Sequence, residues 1–373
     1  MKYIQYALVL FIFLGCKENE EIIDITVINN SIKTERLSSI EKKLVDTMIF
    51  KEFSVIPLET NEDNLLREID RISISNSRIY IFDNSLEKIC IFDDKGKYIN
   101  QIHCIGLGPR EYIAAIDFCL DVKKNELLLL CDRPYKLMRF SLDGEFISET
   151  VFSEFYREIA SDSDKLFCLL SDINKKYEIG CFDQEFQPVY KKLAMRKKIN
   201  KGCYDVGKSL VKSENLIYAR RFDPSLYHVF KDSIIKKYDL DFGKYCFSPD
   251  LPYKKDCREF FEVAEKNDYI YSITNPVESD KYILFKTNIC ICLYEKETNK
   301  LHGYDILFNH SLNAGSNNYY PNNVNGNSII MTLDPSSLSY YSDETIKKNP
   351  LLSDLVQKVA PDDNPILIVY EFK

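Results

Sequence analysis

Ile79-Tyr80-Ile81-Phe82-Asp83, Ile89-Cys90-Ile91-Phe92, the tetrad Asp93-Asp94-Lys95-Gly96 and Tyr98-Ile99-Asn100-Gln101-Ile102 follow one another closely and set the fold of this chain. The first two stretches are apolar, β-prone runs, each stopped by an acid, and the tetrad is a turn. They read as two buried strands, a turn and an outer strand. The unit recurs. LLLLCD ends at Asp132, with KLMRF, turn SLDG and EFI behind it. LFCLLSD ends at Asp172, with EIGCF, DQEF and QPV. LIYARRFD and LYHVF end at Asp223 and Phe230, YILFKTN and CICLY at Asn288 and Tyr294, and SIIMTLD at Asp334. The six strand-ending residues 83, 132, 172, 223, 288 and 334 are 49, 40, 51, 65 and 46 apart. A second marker agrees: Phe92 to Ile99, Phe140 to Ile147, Phe182 to Val189 and Tyr294 to Leu301 are each seven residues apart.

Repeats of about 40–50 residues with four short strands each are the signature of propeller blades. The spacing predicts an all-β, six-bladed β-propeller of four-stranded blades over residues 51–373. Closure follows from the chain ends. Ile366-Leu367-Ile368-Val369-Tyr370 lacks an outer neighbour downstream, and Phe53-Ser54-Val55-Ile56-Pro57-Leu58 can supply one from upstream. Pro57 is tolerable there because an outer strand has one unpaired edge. One short helix is expected in the last insert, with Asn349 as N-cap, Pro350 at the first turn and an apolar stripe of Leu351, Leu352, Leu355, Val356 and Val359.

The N-terminus reads as an address. Ile4 to Leu14 is mostly apolar and would span about 16 Å as a helix at ~1.5 Å per residue. A bilayer core is about 30 Å thick, so this is a signal-peptide core rather than a span. It ends in Phe13-Leu14-Gly15-Cys16, which resembles a bacterial lipobox. Residues 1–15 are accordingly expected to be a signal peptide, Cys16 the lipidated first mature residue that holds the protein to a membrane, and residues 16–50 its tether. Lys17-Glu18-Asn19-Glu20-Glu21 resembles an acidic surface-export signal, and reads equally well as a solvated tether.

Ser54-Val55-Ile56-Pro57-Leu58-Glu59-Thr60, IYIFD, FDDKGKYI, Gly106-Leu107-Gly108-Pro109-Arg110-Glu111-Tyr112 and the ending NPILIVYEFK together resemble the six-bladed β-propeller lipoproteins of Bacteroidetes, themselves related in pattern to NHL-type propellers. The resemblance covers roughly residues 50–373. It implies a fold and an outer-membrane, lipid-anchored address facing the cell surface or the periplasm, and no proven activity.

Composition narrows the functional classes. Hydrophobic residues make up 45% and charged residues 28% of the 373, an ordinary globular balance. A net charge of −8 disfavours a nucleic-acid partner, whose affinity rests on neutralising phosphates. The basic cluster Arg196-Lys197-Lys198 with Lys201 reads as a solvated loop against that background. There is no Trp, which removes sialidase Asp boxes and WD repeats. HExxH, GxSxG, P-loop and calcium-loop motifs are missing, so no cofactor and no metal are expected. Beyond Cys16, eleven cysteines remain, mostly inside apolar runs, and read as small buried hydrophobes, with a disulfide between neighbouring strands still open. Of the four histidines, His103 and His228 lie in strand-like runs and are expected to be packed.

Loops between second and third strands and loops between blades should emerge on one face. Its polar members Arg110, Glu111, Tyr112, Asp132, Arg133, Arg221 and Asp223 are the candidate ligand-binding residues. The repeated Asp residues also fit a structural role as turn caps. The leading expectation is a non-enzymatic binding or scaffold protein for a glycan, peptide or protein partner. The alternative is a lyase or hydrolase with acids, Arg and Tyr at the channel mouth.

Overall fold

The computed structural model describes residues 26–170, 176–195, 207–254, 256–322, 324 and 327–373. Within them, six sheets follow one another around a ring. Blade 1 is Arg71–Ser75, Arg78–Asp83, Lys88–Asp93 and Tyr98–Ile102. Blade 2 is Ala114–Asp121, Glu126–Arg133, Lys136–Ser141 and Phe146–Val151. Blade 3 is Tyr156–Asp162, Lys165–Leu170, Tyr177–Phe182 and Pro188–Ala194. Blade 4 is Leu210–Lys212, Leu216–Ala219, Ser225–Val229 and Ser233–Asp239. Blade 5 is Ile273–Glu278, Tyr282–Thr287, Ile291–Glu295 and Lys300–Asn309. Blade 6 is Tyr320–Pro321, Ser328–Leu333, Ile366–Phe372 and, from the other end of the chain, Phe50–Pro57.

The ring closes as the chain ends imply. Ile366 pairs with Pro57 and Tyr370 with Phe53 in an antiparallel ladder. The core lies between blades. Tyr80, Phe82, Ile89 and Ile91 of blade 1 meet Phe118, Leu127, Leu129 and Met138 of blade 2, all at 1% exposure or less. Each such side chain contributes about 1.5–3 kcal/mol on burial. The second and third strands of each blade are covered by a neighbouring blade on both sides, which explains their continuous apolar runs.

The seven-residue marker has a structural cause. In blades 1 to 3 a bulge shifts the register, so Phe92, Phe140 and Phe182 face Tyr98, Phe146 and Pro188. Gly96 and Gly144 take the left-handed turn position at φ +82° and +88°. In blade 3 that position is Phe186, at φ +62°. Its ring stacks on Phe182 at 4.4 Å, which offsets the strain of a β-carbon there.

Two elements differ from expectation. The stretch expected as tether carries two strands from residue 26 onward. Thr26–Lys33 adds in parallel to the outer strand of blade 4, and Ile40–Val45 adds in parallel to the outer strand of blade 5. The second is anchored, since Leu37 and Leu44 are 1% and 0% exposed. The first lies almost wholly on the surface. A helix, Cys257–Lys266, also stands between blades 4 and 5, where none was expected. Asp256 caps it by accepting the Glu259 N–H, and Phe260 and Ala264 pack against Phe222. The expected helix is present as Pro350–Lys358, with Asn349 Oδ1 accepting the Leu351 and Leu352 N–H groups.

Candidate functional site

Adjacent strands in a blade are antiparallel, so loops between second and third strands leave on the same face as the connections between blades. That face carries every long insertion among the described residues: the helices Leu251–Lys254 and Cys257–Lys266 between blades 4 and 5, and Pro335–Tyr340, Asp343–Lys348 and Pro350–Lys358 within blade 6. The opposite face carries tight turns. Strand-ending Asx residues organise the loop-bearing face. Asp83 Oδ2 accepts the Arg67 and Glu68 N–H groups at 2.6 and 3.1 Å, and its Oδ1 accepts from Leu86 N–H. Asn288 does the same for Tyr271 and Ser272. Asp334 caps Ser336. Their role is therefore to pin incoming chain, as Asx caps do. Asp172 lies outside the described residues, as do Cys16 and the basic cluster Arg196–Lys198 with Lys201.

The axis holds a polar network that the sequence repeat does not show. The innermost strands have unpaired N–H groups along the edge that faces the axis, and buried donors need partners. Side chains of neighbouring inner strands supply them. Asp117 accepts from Ile159 N–H, Glu158 from Ser209 and Leu210 N–H, Asn275 from Lys208 N–H and Asn322 from Ile74 N–H. Lys208, 1% exposed, meets Asp117, 0% exposed, at 2.8 Å and also donates to the Ile159 carbonyl at 2.8 Å. Arg71 Nε stands 3.4 Å from the same carboxylate. Blades 1, 2 and 4 are thus bolted to one another across the axis.

The sequence-named residues fall into two groups. Ile113 N–H donates to the Arg133 carbonyl, which brings the Arg110–Tyr112 loop beside Asp132 and Arg133 at the junction of blades 1 and 2. Arg110 is exposed and lies over the Phe146 ring at 5.0 Å. Glu111 turns inward and accepts the Gly108 N–H at 2.7 Å. Tyr112 is fully buried and donates to the Glu87 carbonyl at 2.7 Å, so it is a packing residue and not a ligand contact. Burial drives its phenol far above the ordinary range. Asp132 and Arg133 pair with each other at 3.6 Å. Arg221 and Asp223 sit on blade 4 instead. Arg221 lies over the Phe222 ring, and Asp223 accepts from Tyr227 Oη at 3.1 Å.

Next to the first group opens a cleft of about 490 Å³ lined by Glu62, Asp63, Glu87, Lys88, His103, Ile105 and Ile113 among others. His103 is exposed on its wall, one residue past the strand, rather than packed as expected. Lys88 is buried and donates to the Asp63 carbonyl at 3.2 Å, while the Glu62 and Asp63 carboxylates stand exposed, so the charges at the surface of the cleft are mainly acidic. Burial raises the Glu87 carboxyl, partly opposed by the Ala115 N–H it accepts. Ile105 and Ile113 stand exposed on the cleft, and Leu65 and Leu107 are exposed two residues from Asp63 and Ile105 in the chain, Leu107 at 84%. Exposed apolar side chains gathered in one place mark interaction sites.

The chain matches a family model described as a domain of unknown function, DUF4934, over residues 25–371. It belongs to the DUF4934 family. This DUF4934 chain is similar in structure to a Bacteroides fragilis protein named as exported, with a TM-score of 0.71 and 20% identity, over 93% of this chain and 100% of that one. A member of the DUF4221 family from Bacteroides vulgatus is similar at a TM-score of 0.51 and 12% identity, over 87% and 97%. At these identities the likeness shows the propeller fold alone. No curated protein matches the sequence. No helix among the described residues of the DUF4934 chain is long and apolar enough to cross a membrane. No group of three or more His, Cys, Asp or Glu among them is arranged to hold a metal ion. Nine cysteines, Cys90, Cys104, Cys119, Cys131, Cys168, Cys181, Cys246, Cys290 and Cys292, are free thiols, eight of them buried or partly buried.

Proposed function

We propose that this is an exported, lipid-anchored binding or scaffold protein of the outer membrane, and that a peptide or protein partner docks at the cleft between blades 1 and 2. The observation that carries the reading is the cleft itself: an acidic wall of Glu62, Asp63 and Glu87 beside exposed Ile105 and Ile113, with exposed Leu107 two residues further along the same loop. The Phe13-Leu14-Gly15-Cys16 motif supports the anchor, and the named export of the Bacteroides fragilis neighbour supports the address. The enzyme alternative would need free acids or bases at the axis. There Lys208, Asp117 and Glu158 are already bonded to one another or to backbone, which favours a binder.

A photo-activatable residue at Leu107 tests the reading in cells that make the full chain. The expected result is a discrete covalent adduct from position 107 and none from Val122, which is 47% exposed in a tight turn of the opposite face. Equal adducts from both positions, or none from 107, overturn it. A soluble glycan that protects position 107 from labelling would replace the protein partner with a sugar.

A further inference from the structure

A second cleft, about 250 Å³, lies where the start of the outer strand of blade 6 meets the turn after the outer strand of blade 5, and is walled by Asp46, Phe50, Lys51, Phe53, His310 and Tyr370 among others. Two of its lining residues, Asp46 and His310, stand in a specific order with Ser311, the next residue in the chain. Asp46 is 3% exposed, and its Oδ1 lies 2.8 Å from His310 Nδ1. The carboxylate only accepts, so in the neutral ring Nδ1 carries the proton and Nε2 is left as the acceptor. Ser311 Oγ lies 3.2 Å from that Nε2. This is the order nucleophile, base and orienting acid, at the separations such groups use.

The surroundings hold the three in place. Asp46 Oδ1 also accepts the Thr47 N–H at 2.8 Å, which fixes the carboxylate. Asn309 is fully buried, accepts the Leu312 N–H and donates to Tyr370 Oη at 2.8 Å. Asn349 donates to the Ser311 carbonyl while capping the helix that follows it. The turn carrying His310 and Ser311 is therefore tied at both ends, while the imidazole stays half exposed. Lys51, on the same cleft, is paired with Glu371 at 2.6 Å and Glu52 at 3.6 Å, so it is not a second base.

We propose that Ser311, His310 and Asp46 form an acyl-transfer site for small, uncharged carboxylic esters, a function beyond partner binding at the other cleft. The aromatic walls Phe50, Phe53 and Tyr370 suit an apolar acyl group, and the volume suits only a small one. Ser311 Oγ attacks the ester carbonyl carbon, and its proton passes to His310 Nε2. The C–O bond to the alcohol portion then breaks, and the departing oxygen takes the proton from Nε2. Water repeats the sequence on the acyl-serine, giving the carboxylic acid and restoring Ser311. Asp46 is the positioning residue that holds the reactive tautomer.

The test uses the full purified chain and a biotinylated fluorophosphonate, which bonds to activated serines with loss of fluoride. The label is expected on Ser311 by peptide mass spectrometry, and Ser311→Ala removes it without changing the melting temperature. His310→Gln is expected to slow labelling at least about 100-fold, the lower range of general-base catalysis. With p-nitrophenyl acetate, hydrolysis above the buffer rate is expected, and Asp46→Asn should lower kcat while leaving KM unchanged. The proposal is overturned if Ser311 reacts no faster than other surface serines, or reacts equally fast in His310→Gln.

Discussion

Blades 1 and 4 occupy opposite positions in the ring and are held together differently. In blade 1, Ile79 to Phe82 and Ile89 to Phe92 are all at 1% exposure or less, and full-length strands carry the sheet. In blade 4 the two inner strands have three and four residues, Leu210–Lys212 and Leu216–Ala219. A borrowed strand widens its outer edge, and buried ion pairs flank it. Glu178 binds Arg220 through both carboxylate oxygens on the blade 3 side. Glu278 receives Tyr238 Oη at 2.9 Å and Asn215 at 3.1 Å, and faces His228 and Lys296 at 2.8 Å each on the blade 5 side. Where apolar repetition is complete, the surface loops are left available for binding. Where it is short, charged groups and leader strands take its place.

The largest break in this comparison should come from the leader. A chain beginning at residue 46 loses Leu37 and Leu44, both buried between blade 5 and its neighbours. Each buried leucine is worth about 2–5 kcal/mol, so urea unfolding should show a loss of at least about 4 kcal/mol. A chain beginning at residue 34 removes only the exposed strand Thr26–Lys33 and should lose about 1 kcal/mol or less. Equal losses would mean that the leader acts as one unit.

Next is the axis. Asp117→Ala leaves Lys208 buried without its carboxylate, which should cost about 3–5 kcal/mol. Replacing both, as Asp117→Leu with Lys208→Met, should recover a large part of that, because no buried charge remains. A double variant as unstable as the single one would point to lost backbone hydrogen bonds instead.

Glu278 gives a pH-dependent contrast between the two halves. Burial pushes its carboxyl up, but His228 and Lys296 outweigh that and hold it at about 2 against an ordinary 4.5. A depressed folded-state value means stability that is present above about pH 4.5 and lost as pH falls through about 2. At neutral pH it amounts to about 3 kcal/mol. Glu278→Gln should therefore be less stable than the parent at pH 7 and converge on it near pH 2. A gap that stays constant from pH 7 to 2 would show that the carboxylate charge is not what blade 4 relies on.

These contrasts also explain what the sequence makes readable. The second and third strands of every blade are enclosed on both faces, so their apolar runs repeat and mark the ring. The innermost strands turn Asp117, Glu158 and Asn275 toward the axis, and polar residues inside AAIDFCLD or YREIASD hide them. The leader strands TVINNSIK and IEKKLV are mostly exposed, so they carry no apolar pattern. The helix Cys257–Lys266 did leave a signal, the Asp256 and Glu259 capping pair, which stands outside the blade repeat. Strand direction alone places the Arg110–Tyr112 and Asp132–Arg133 loops on one face, and the two lie side by side there. Tyr112 could not be told from a surface tyrosine because its burial depends on Glu87 and Ile102, from the blade before it. Asp46 and His310 are 264 residues apart, and the parallel pairing of Ile40–Val45 with the outer strand of blade 5 brings them together.

The central claim is that the blade 1 cleft is a binding surface and not part of the structural frame. The most direct measurement pairs two readings on one variant, Glu62→Lys with Asp63→Lys, both exposed positions. The account predicts an unfolding midpoint within about 2 °C of the parent, as expected for surface changes. It predicts a fall on the order of tenfold in the adduct formed from Leu107, the equivalent of about 1.4 kcal/mol. An unchanged adduct, or a fall that merely tracks lost stability, would contradict it.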